Sequence, residues 1–135
     1  MSSRRSQRRP APVLGGFPER LGRLTWRDLH VYARHDPRPD VDLVLRVLME
    51  HYPCEVCRSH LCETLGARVG GETDPVLRLF ELHNRINRQL GKALFPAGDL
   101  EETYGPQGAF YAEHLQGMTY EKWVRRLEGN ALRAR

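Results

Sequence analysis

Four consecutive segments between residues 21 and 91 repeat apolar side chains at the three- and four-residue spacing of an α-helix. In the first of them, Trp26, Leu29, His30 and Ala33 share one helical face. The strict alternation of apolar and polar residues that strands require is missing throughout the chain. Four helices within about 70 residues are typical of a small bundle. We therefore predict an all-α fold, a four-helix bundle.

The ends of these helices are predicted from capping and breaking residues. Thr25 to Asp28 resembles a capping box, with Asp in place of Glu, and this predicts that the first helix begins at Thr25. A third helix is expected from the cysteine pair to about Leu65, and a fourth from Val76 to Leu90, where Gly91 ends it. Three further residues are expected to cap helices, namely Asp40, Asp74 and Thr119.

The chain divides into a tail, a core and an extension. Residues 1–20 predict a basic flexible tail, because four of the first ten residues are arginine and none is acidic. A nucleic-acid or targeting arm is the alternative interpretation. No apolar segment follows that would fit a secretory signal, and no run reaches the roughly 18 residues that span a bilayer. We expect the core over residues 21–97, and a C-terminal extension over residues 98–135 whose short helix can pack on that core.

The stretch Tyr52-Pro53-Cys54-Glu55-Val56-Cys57 is the strongest chemical signal. Two cysteines three residues apart at a helix start lie on one face, close enough to form a disulfide. The helix N-terminus stabilises a thiolate, so Cys54 is expected to be the exchange-competent sulfur, with Cys57 one turn deeper. This pattern favours a redox dithiol, with a metal site and an incidental pair as the alternatives.

The metal alternative lacks suitable ligands. The chain has only three cysteines, which excludes a zinc ribbon built on two such pairs. The third, Cys62, is eight residues beyond Cys54, and this corresponds to roughly 12 Å along a helix. His60 and His83 are the other candidates. Because Cys54 and Cys62 are too far apart to share one tetrahedral ion, we predict no metal ligands.

Polar residues interrupt the apolar pattern of the fourth helix. His83, Asn84 and Asn87 stand among leucine, isoleucine and phenylalanine, and His30 lies on the apolar face of the first helix. Buried polar groups need hydrogen-bond partners. Several of them together favour a polar ligand held between helices over a set of satisfied core residues.

At these residues the chain resembles the Erv/ALR family of FAD-linked sulfhydryl oxidases. The family patterns GRxxW…LH, YPCxxC and HNxVNxxLGKxxF match residues 22–30, 52–57 and 83–95 in the same order, with Ile86 in place of valine. The resemblance covers residues 21–95. It implies a four-helix bundle with a short fifth helix that holds FAD, with the CxxC beside the isoalloxazine ring.

The resemblance also implies roles for individual residues. Cys54 would exchange with the substrate, and Cys57 would be the sulfur nearer the flavin. Trp123, which lies far beyond the place where relatives carry an Arg-Trp pair, would be either an adenine contact or a core residue. The implied cofactor-binding residues are Arg23, Trp26, His30, His83, Asn84, Asn87, Lys92 and Trp123.

The implied activity is an FAD-dependent thiol oxidase that acts as a homodimer. It would form disulfides in protein substrates or in a thioredoxin- or glutaredoxin-like carrier, and would pass electrons from the CxxC through FAD to O2 to give H2O2. Neither a membrane nor nucleic acid is an expected partner. The alternative from another class is a non-enzymatic helical module that binds zinc or a partner protein.

Two departures from the family pattern refine this expectation. Cellular members commonly carry a second disulfide, CX16C, at positions that are Phe80 and Ala97 here, and neither tail contains a shuttle cysteine pair. Small viral members also tend to lack this second disulfide. A viral-type member in the host cytoplasm or virion is therefore expected, with the mitochondrial intermembrane space as the alternative location.

Overall fold

The computed structural model describes residues 16–66, 73–96 and 108–135, and every regular element in these ranges is helical. This confirms the all-α prediction. Among the described residues, no helix is both long and apolar enough to cross a membrane. The elements are α1 (Phe17–His35), α2 (Val41–His51), α3 (Glu55–Gly66), α4 (Pro75–Gln89), α5 (Gly108–Ala112), a 3₁₀ turn (Glu113–Leu115) and α6 (Tyr120–Ala134).

Three predicted N-caps are confirmed, and each cap accepts the backbone N–H three residues further on. The distances are 3.0 Å to Asp40 Oδ1, 3.2 Å to Asp74 Oδ2 and 3.2 Å to Thr119 Oγ1. Each such bond satisfies one of the unpaired donors of a first turn, typically worth about 1 kcal/mol. Gly91, with φ 71°, follows α4 in the left-handed conformation that glycine adopts without strain. Local sequence therefore sets these ends.

The predicted start of the first helix at Thr25 is wrong. α1 begins at Phe17, with Pro18 in its first turn, where the missing N–H of proline has no consequence. Thr25 lies in the middle of α1 and is buried. Leu21, which is fully buried, extends the apolar face of α1 toward its N-terminus. Burial of this earlier turn outweighs the capping signal. The arginine-rich part of the predicted tail, residues 1–15, lies outside the described residues.

The long helices pack in a closed ring of neighbours, in the order α1, α4, α3, α2, α6 and back to α1, while α5 packs on α1. α6 therefore stands between α1 and α2. It spans 15 residues, and it is an integral part of the core rather than a short helix on an extension. Each long apolar side chain buried in such a core contributes roughly 1.5–3 kcal/mol.

Trp123 of α6 is a core residue. Its side chain is 1% exposed, and its ring meets Tyr32 of α1 edge-on, with 5.1 Å between ring centroids. Leu127, Ala131 and Ala134 continue the buried face of α6. The structure thus places Trp123 in the hydrophobic interior, where its ring has no free surface for an adenine. This burial favours the core interpretation of Trp123, and the adenine contact stays a prediction.

Candidate active site

Cys54 and Cys57 form a disulfide at the start of α3, with 5.2 Å between their Cα atoms, and both are half-buried. The carbonyl of Cys54 accepts the Arg58 N–H at 2.8 Å, so Cys54 occupies the cap position of α3. Its Sγ lies 3.4 Å from the Cys57 nitrogen and accepts that N–H. After reduction, a thiolate at Cys54 would face the same N–H and the positive end of the helix. The pair is therefore suited to thiol–disulfide exchange.

Tyr52 anchors the disulfide to the rest of the fold. It ends α2 and is buried, and its carbonyl accepts a hydrogen bond from Arg58 Nη1 at 2.8 Å. Burial raises the pKa of Tyr52 to about 12, and the nearby Thr25 of α1 acts in the opposite direction. Because Thr25 immediately precedes Trp26, Tyr52 lies close to the part of α1 that carries the candidate cofactor residues.

Four rings from α1, α4 and the segment after α4 form an aromatic cluster, made of Trp26, His30, His83 and Phe95. Trp26 and His83 stack with 4.0 Å between centroids and 7° between planes. His30 Nε2 and His83 Nδ1 share a hydrogen bond at 2.9 Å. Phe95 stacks against both imidazoles, at 5.5 Å from His30 and 5.4 Å from His83. The structure thus brings together residues that are up to 69 positions apart in sequence.

Both imidazoles in the cluster are uncharged at neutral pH. Burial lowers the pKa of His30 to about 3, and the proximity of His83 lowers it further in the same direction. Burial, followed by the positive charge of Lys92, lowers the pKa of His83 to about 4. A neutral imidazole has one donor nitrogen and one acceptor nitrogen, so the shared hydrogen bond uses one of each.

The two asparagines of α4 hold the following segment against the cluster. Asn84 Oδ1 accepts the Phe95 N–H at 2.6 Å, and Asn84 Nδ2 donates to the Phe95 carbonyl at 3.0 Å. Asn87 Nδ2 donates to Asn84 Oδ1 at 3.4 Å, and the Asn87 carbonyl accepts the Lys92 N–H at 2.8 Å. In this structure Asn84 therefore orients Phe95, which sequence reasoning placed in the motif without giving it a role.

Lys92 and Arg23, the two cationic residues predicted to bind the cofactor, both lie near the first turns of α1. Lys92 Nζ forms an ion pair with Glu19 of α1 at 2.8 Å. Arg23, which is exposed, lies one helical turn after Glu19. Sequence reasoning missed Glu19, since a lone glutamate in a first turn carries no signal beyond the favourable helix dipole.

A groove of about 510 Å³ runs between α2, α3 and α4, within the size range of small-molecule sites. Asn84 contributes to both the groove and the support of the aromatic cluster. On the side of α3, the buried Thr64 donates to Gln89 Oε1 of α4 at 2.8 Å. Of the three polar residues predicted on α4, Asn84 is the one among the residues that line the groove.

The donor set between α1 and α4 fits a flat heteroaromatic group that carries phosphates. Neutral imidazoles, side-chain amides and the half-buried Trp26 suit a polar aromatic ring, and the positive charges of Arg23 and Lys92 suit phosphate oxygens. The exposed Cys62 donates to the Met49 carbonyl, at 3.6 Å. No group of three or more His, Cys, Asp or Glu in the described ranges has the arrangement of a metal site.

The sequence is similar to those of known proteins. The profile of the Erv1/Alr family matches residues 23–105. The FAD-linked sulfhydryl oxidase ERV1 of Arabidopsis thaliana is 34% identical over an alignment of 97 residues, and the match covers 64% of this chain and 51% of the relative. The protein of the same name from Oryza sativa subsp. japonica is 32% identical over an alignment of 97 residues, and the match covers 64% of this chain and 50% of the relative. The chain thus spans about half the length of these relatives. No solved structure matches it.

Proposed function

The chain belongs to the Erv1/Alr family, and we propose that it is an FAD-dependent sulfhydryl oxidase that introduces disulfides into protein substrates. The observation that carries this proposal is the Cys54–Cys57 disulfide at the N-terminus of α3, inside the matched range. The aromatic cluster and its neutral histidines lie in the same range and support it.

The proposed first step is thiol–disulfide exchange at Cys54. A substrate thiolate attacks Cys54 Sγ, the Cys54–Cys57 bond breaks, and Cys57 leaves as a thiolate. The second substrate thiolate then attacks the substrate sulfur of the mixed disulfide and releases Cys54. The substrate loses two electrons and the CxxC gains two. Cys54 suits the attacked position because the helix N-terminus stabilises the thiolate that is finally released.

We propose an FAD site between α1 and α4, and FAD bound there would supply the chemistry that moves two electrons from the dithiol to O2 to give H2O2. Trp26, His30, His83 and Asn87 would hold the ring system. Arg23 and Lys92 would hold the phosphates. Because His30 and His83 are neutral at physiological pH, they can orient a ring by hydrogen bonding without adding positive charge beside it.

The finer assignments extend this proposal. We propose a protein dithiol or a thioredoxin- or glutaredoxin-like carrier as the direct substrate, since the sequence has only one further cysteine beyond the CxxC. The homodimer, the viral-type origin and a location in the host cytoplasm or virion, or else the mitochondrial intermembrane space, stay predictions. Light scattering on the purified chain tests the homodimer directly.

Colour and peroxide production test the proposed function. The purified full chain should absorb in the flavin range, release about one FAD per chain on denaturation, and consume O2 with formation of H2O2 when dithiothreitol is added. Cys62→Ser is the matched control, since Cys62 is exposed and lies outside the disulfide, and it should retain the activity. A colourless protein that carries stoichiometric zinc would instead support the non-enzymatic module.

A further inference from the structure

A buried carboxylate lies on the side of α1 that faces away from the aromatic cluster. Asp28 is 1% exposed, and its two oxygens accept four hydrogen bonds from α5 and α6. Tyr111 Oη donates at 2.6 Å and Asn130 Nδ2 at 2.9 Å. Arg126 donates through Nε at 3.0 Å and through Nη2 at 3.3 Å. The charge of Asp28 is thus compensated and its acceptor capacity is largely used.

The donors to Asp28 are themselves held in place. Arg27 Nη2 donates to Tyr111 Oη at 2.7 Å, and its guanidinium lies 4.2 Å from the centre of the Tyr111 ring. The Arg126 guanidinium lies 5.0 Å from the same ring centre. Arg133 donates to Asn130 Oδ1. These residues and Asp28 form one network, which joins α1 to α5 and α6 and which the proposed oxidase chemistry does not use.

The position of Asp28 on α1 relates this network to the candidate site. Asp28 is two residues from both Trp26 and His30, and two residues correspond to roughly 200° around a helix axis. One side of α1 therefore presents Trp26 and His30 toward α4, while nearly the opposite side presents Asp28 toward α5 and α6. Apolar contacts are non-directional, whereas charge-assisted hydrogen bonds fix an orientation.

We propose that Asp28 is a positioning residue, which fixes the rotation of α1 against α6 and so sets Trp26 and His30 against His83. The consequence for cofactor binding rests on the proposed function. The consequence for the His30–His83 hydrogen bond does not, because that bond exists between protein side chains alone.

Three variants of the full chain test the proposal. Asp28→Asn keeps the shape of the side chain but removes the charge and weakens the bonds to Arg126. The double variant D28N/N130D exchanges the two groups across the α1–α6 interface, so that a carboxylate on α6 remains one turn from Arg126 and close to Arg133. Asp42→Asn is the matched control, since Asp42 forms its ion pair with Arg78 at the surface and is 82% exposed.

Two measurements are made on each variant. The first is the set of imidazole ¹⁵N shifts of His30 and His83 at neutral pH, which report their shared hydrogen bond. The second is FAD affinity together with oxidase turnover. Because a displacement of about 1 Å can cost about 100-fold in rate, we expect turnover of D28N to fall by about 10- to 100-fold, with altered imidazole shifts. The double variant should restore both measurements, and D42N should resemble the wild type.

Specific outcomes overturn the proposal. If D28N lowers the unfolding midpoint but keeps wild-type imidazole shifts and FAD affinity, Asp28 has a structural role only. If D28N does not fold, Tyr111→Phe, which removes one of the four hydrogen bonds, is judged by the same measurements. A wild-type protein that binds no FAD contradicts the proposed function, while the imidazole shifts still decide whether Asp28 positions α1.

Discussion

At the scale of single residues, the central part of the candidate site is a pair of imidazoles that share a hydrogen bond and carry no charge. The bonded nitrogens of His30 and His83 lie 2.9 Å apart, and one donates while the other accepts. A proton on both nitrogens would leave no acceptor and would remove the hydrogen bond. Lys92 adds a positive charge whose effect also disfavours protonation of His83. Desolvation is the first cause of both low pKa values. The pair is therefore neutral because of where the fold buries it.

The neutrality of this pair predicts a loss of stability in mild acid. Below pH 6.5 the unfolded chain protonates both histidines, whereas folded His30 and His83 stay neutral until about pH 3 and 4. The free energy of unfolding should then fall with decreasing pH, by at most about 1.4 kcal/mol per pH unit for each histidine. Above pH 6.5 the contribution of the pair should be constant. Urea unfolding at a series of pH values between 7 and 5 measures the slope.

His83→Gln should remove one histidine from this effect. Between pH 6.5 and 5, the variant should lose less stability than the wild type, by at most about 2 kcal/mol. His60→Gln is the control, because His60 is exposed on α3. Equal slopes for H83Q and the wild type would contradict the assignment of a neutral, buried His83.

The two sulfurs should differ spectroscopically. Cys57 is the predicted flavin-side sulfur, so Cys57→Ser should remove the long-wavelength absorption band that is expected when the holoprotein is reduced, while Cys54→Ser should retain it. Both variants should lose turnover with a dithiol, because exchange needs the complete pair. Stepwise anaerobic reduction, followed by visible absorption, measures the band. If Cys54→Ser loses the band and Cys57→Ser keeps it, the two roles are reversed.

At the scale of elements, local signals predict helix ends well wherever the cap is exposed. Asp40, Asp74 and Thr119 satisfy first-turn N–H groups whatever the rest of the fold does. Thr25 has the same chemistry, but burial of the preceding turn decides the start of α1. The spacing of polar residues likewise predicts the polar face of α4. It does not predict the hydrogen bonds between the Phe95 backbone and Asn84, because they depend on how the chain turns after Gly91.

Alanine should have opposite effects at two glycines, one in the turn after α4 and one inside α6. Gly91→Ala should lower the free energy of unfolding by about 1 kcal/mol, because a Cβ is disfavoured in the left-handed conformation found there. Gly129→Ala lies within α6, where the nearest atom to an added Cβ is Arg133 Nη1 at 3.9 Å, and it should raise stability by about 0.5–1 kcal/mol. Denaturant unfolding of both variants measures the difference. Equal effects at the two positions would contradict the observed end of α4.

At the scale of the whole molecule, two sets of contacts join the elements of the bundle, and the first lies at a position where relatives commonly have a cysteine of a second disulfide. Phe80, at one of the positions that is cysteine in cellular members, lies 6.4 Å from the Phe95 ring, and this contact joins α4 to the segment after it. Ala97, at the other position, lies outside the described residues. α6 adds a further connection, since it packs against both α1 and α2 and so closes the ring of helices. Neither feature was evident from spacing, since each depends on contacts between distant segments.

The burial of Trp123 gives a prediction about the whole fold that also separates its two interpretations. Trp123→Ala should lower the free energy of unfolding by about 3–5 kcal/mol, since truncating a fully buried Trp leaves a cavity among α1, α2 and α6. Leu132→Ala on the same helix is the control, because Leu132 is 71% exposed and should change stability by less than about 0.5 kcal/mol. Trp123→Phe keeps most of the packing, and as a core substitution it should leave the Kd for FAD unchanged. A W123F protein with wild-type stability but several-fold weaker FAD binding would instead place this ring at the adenine.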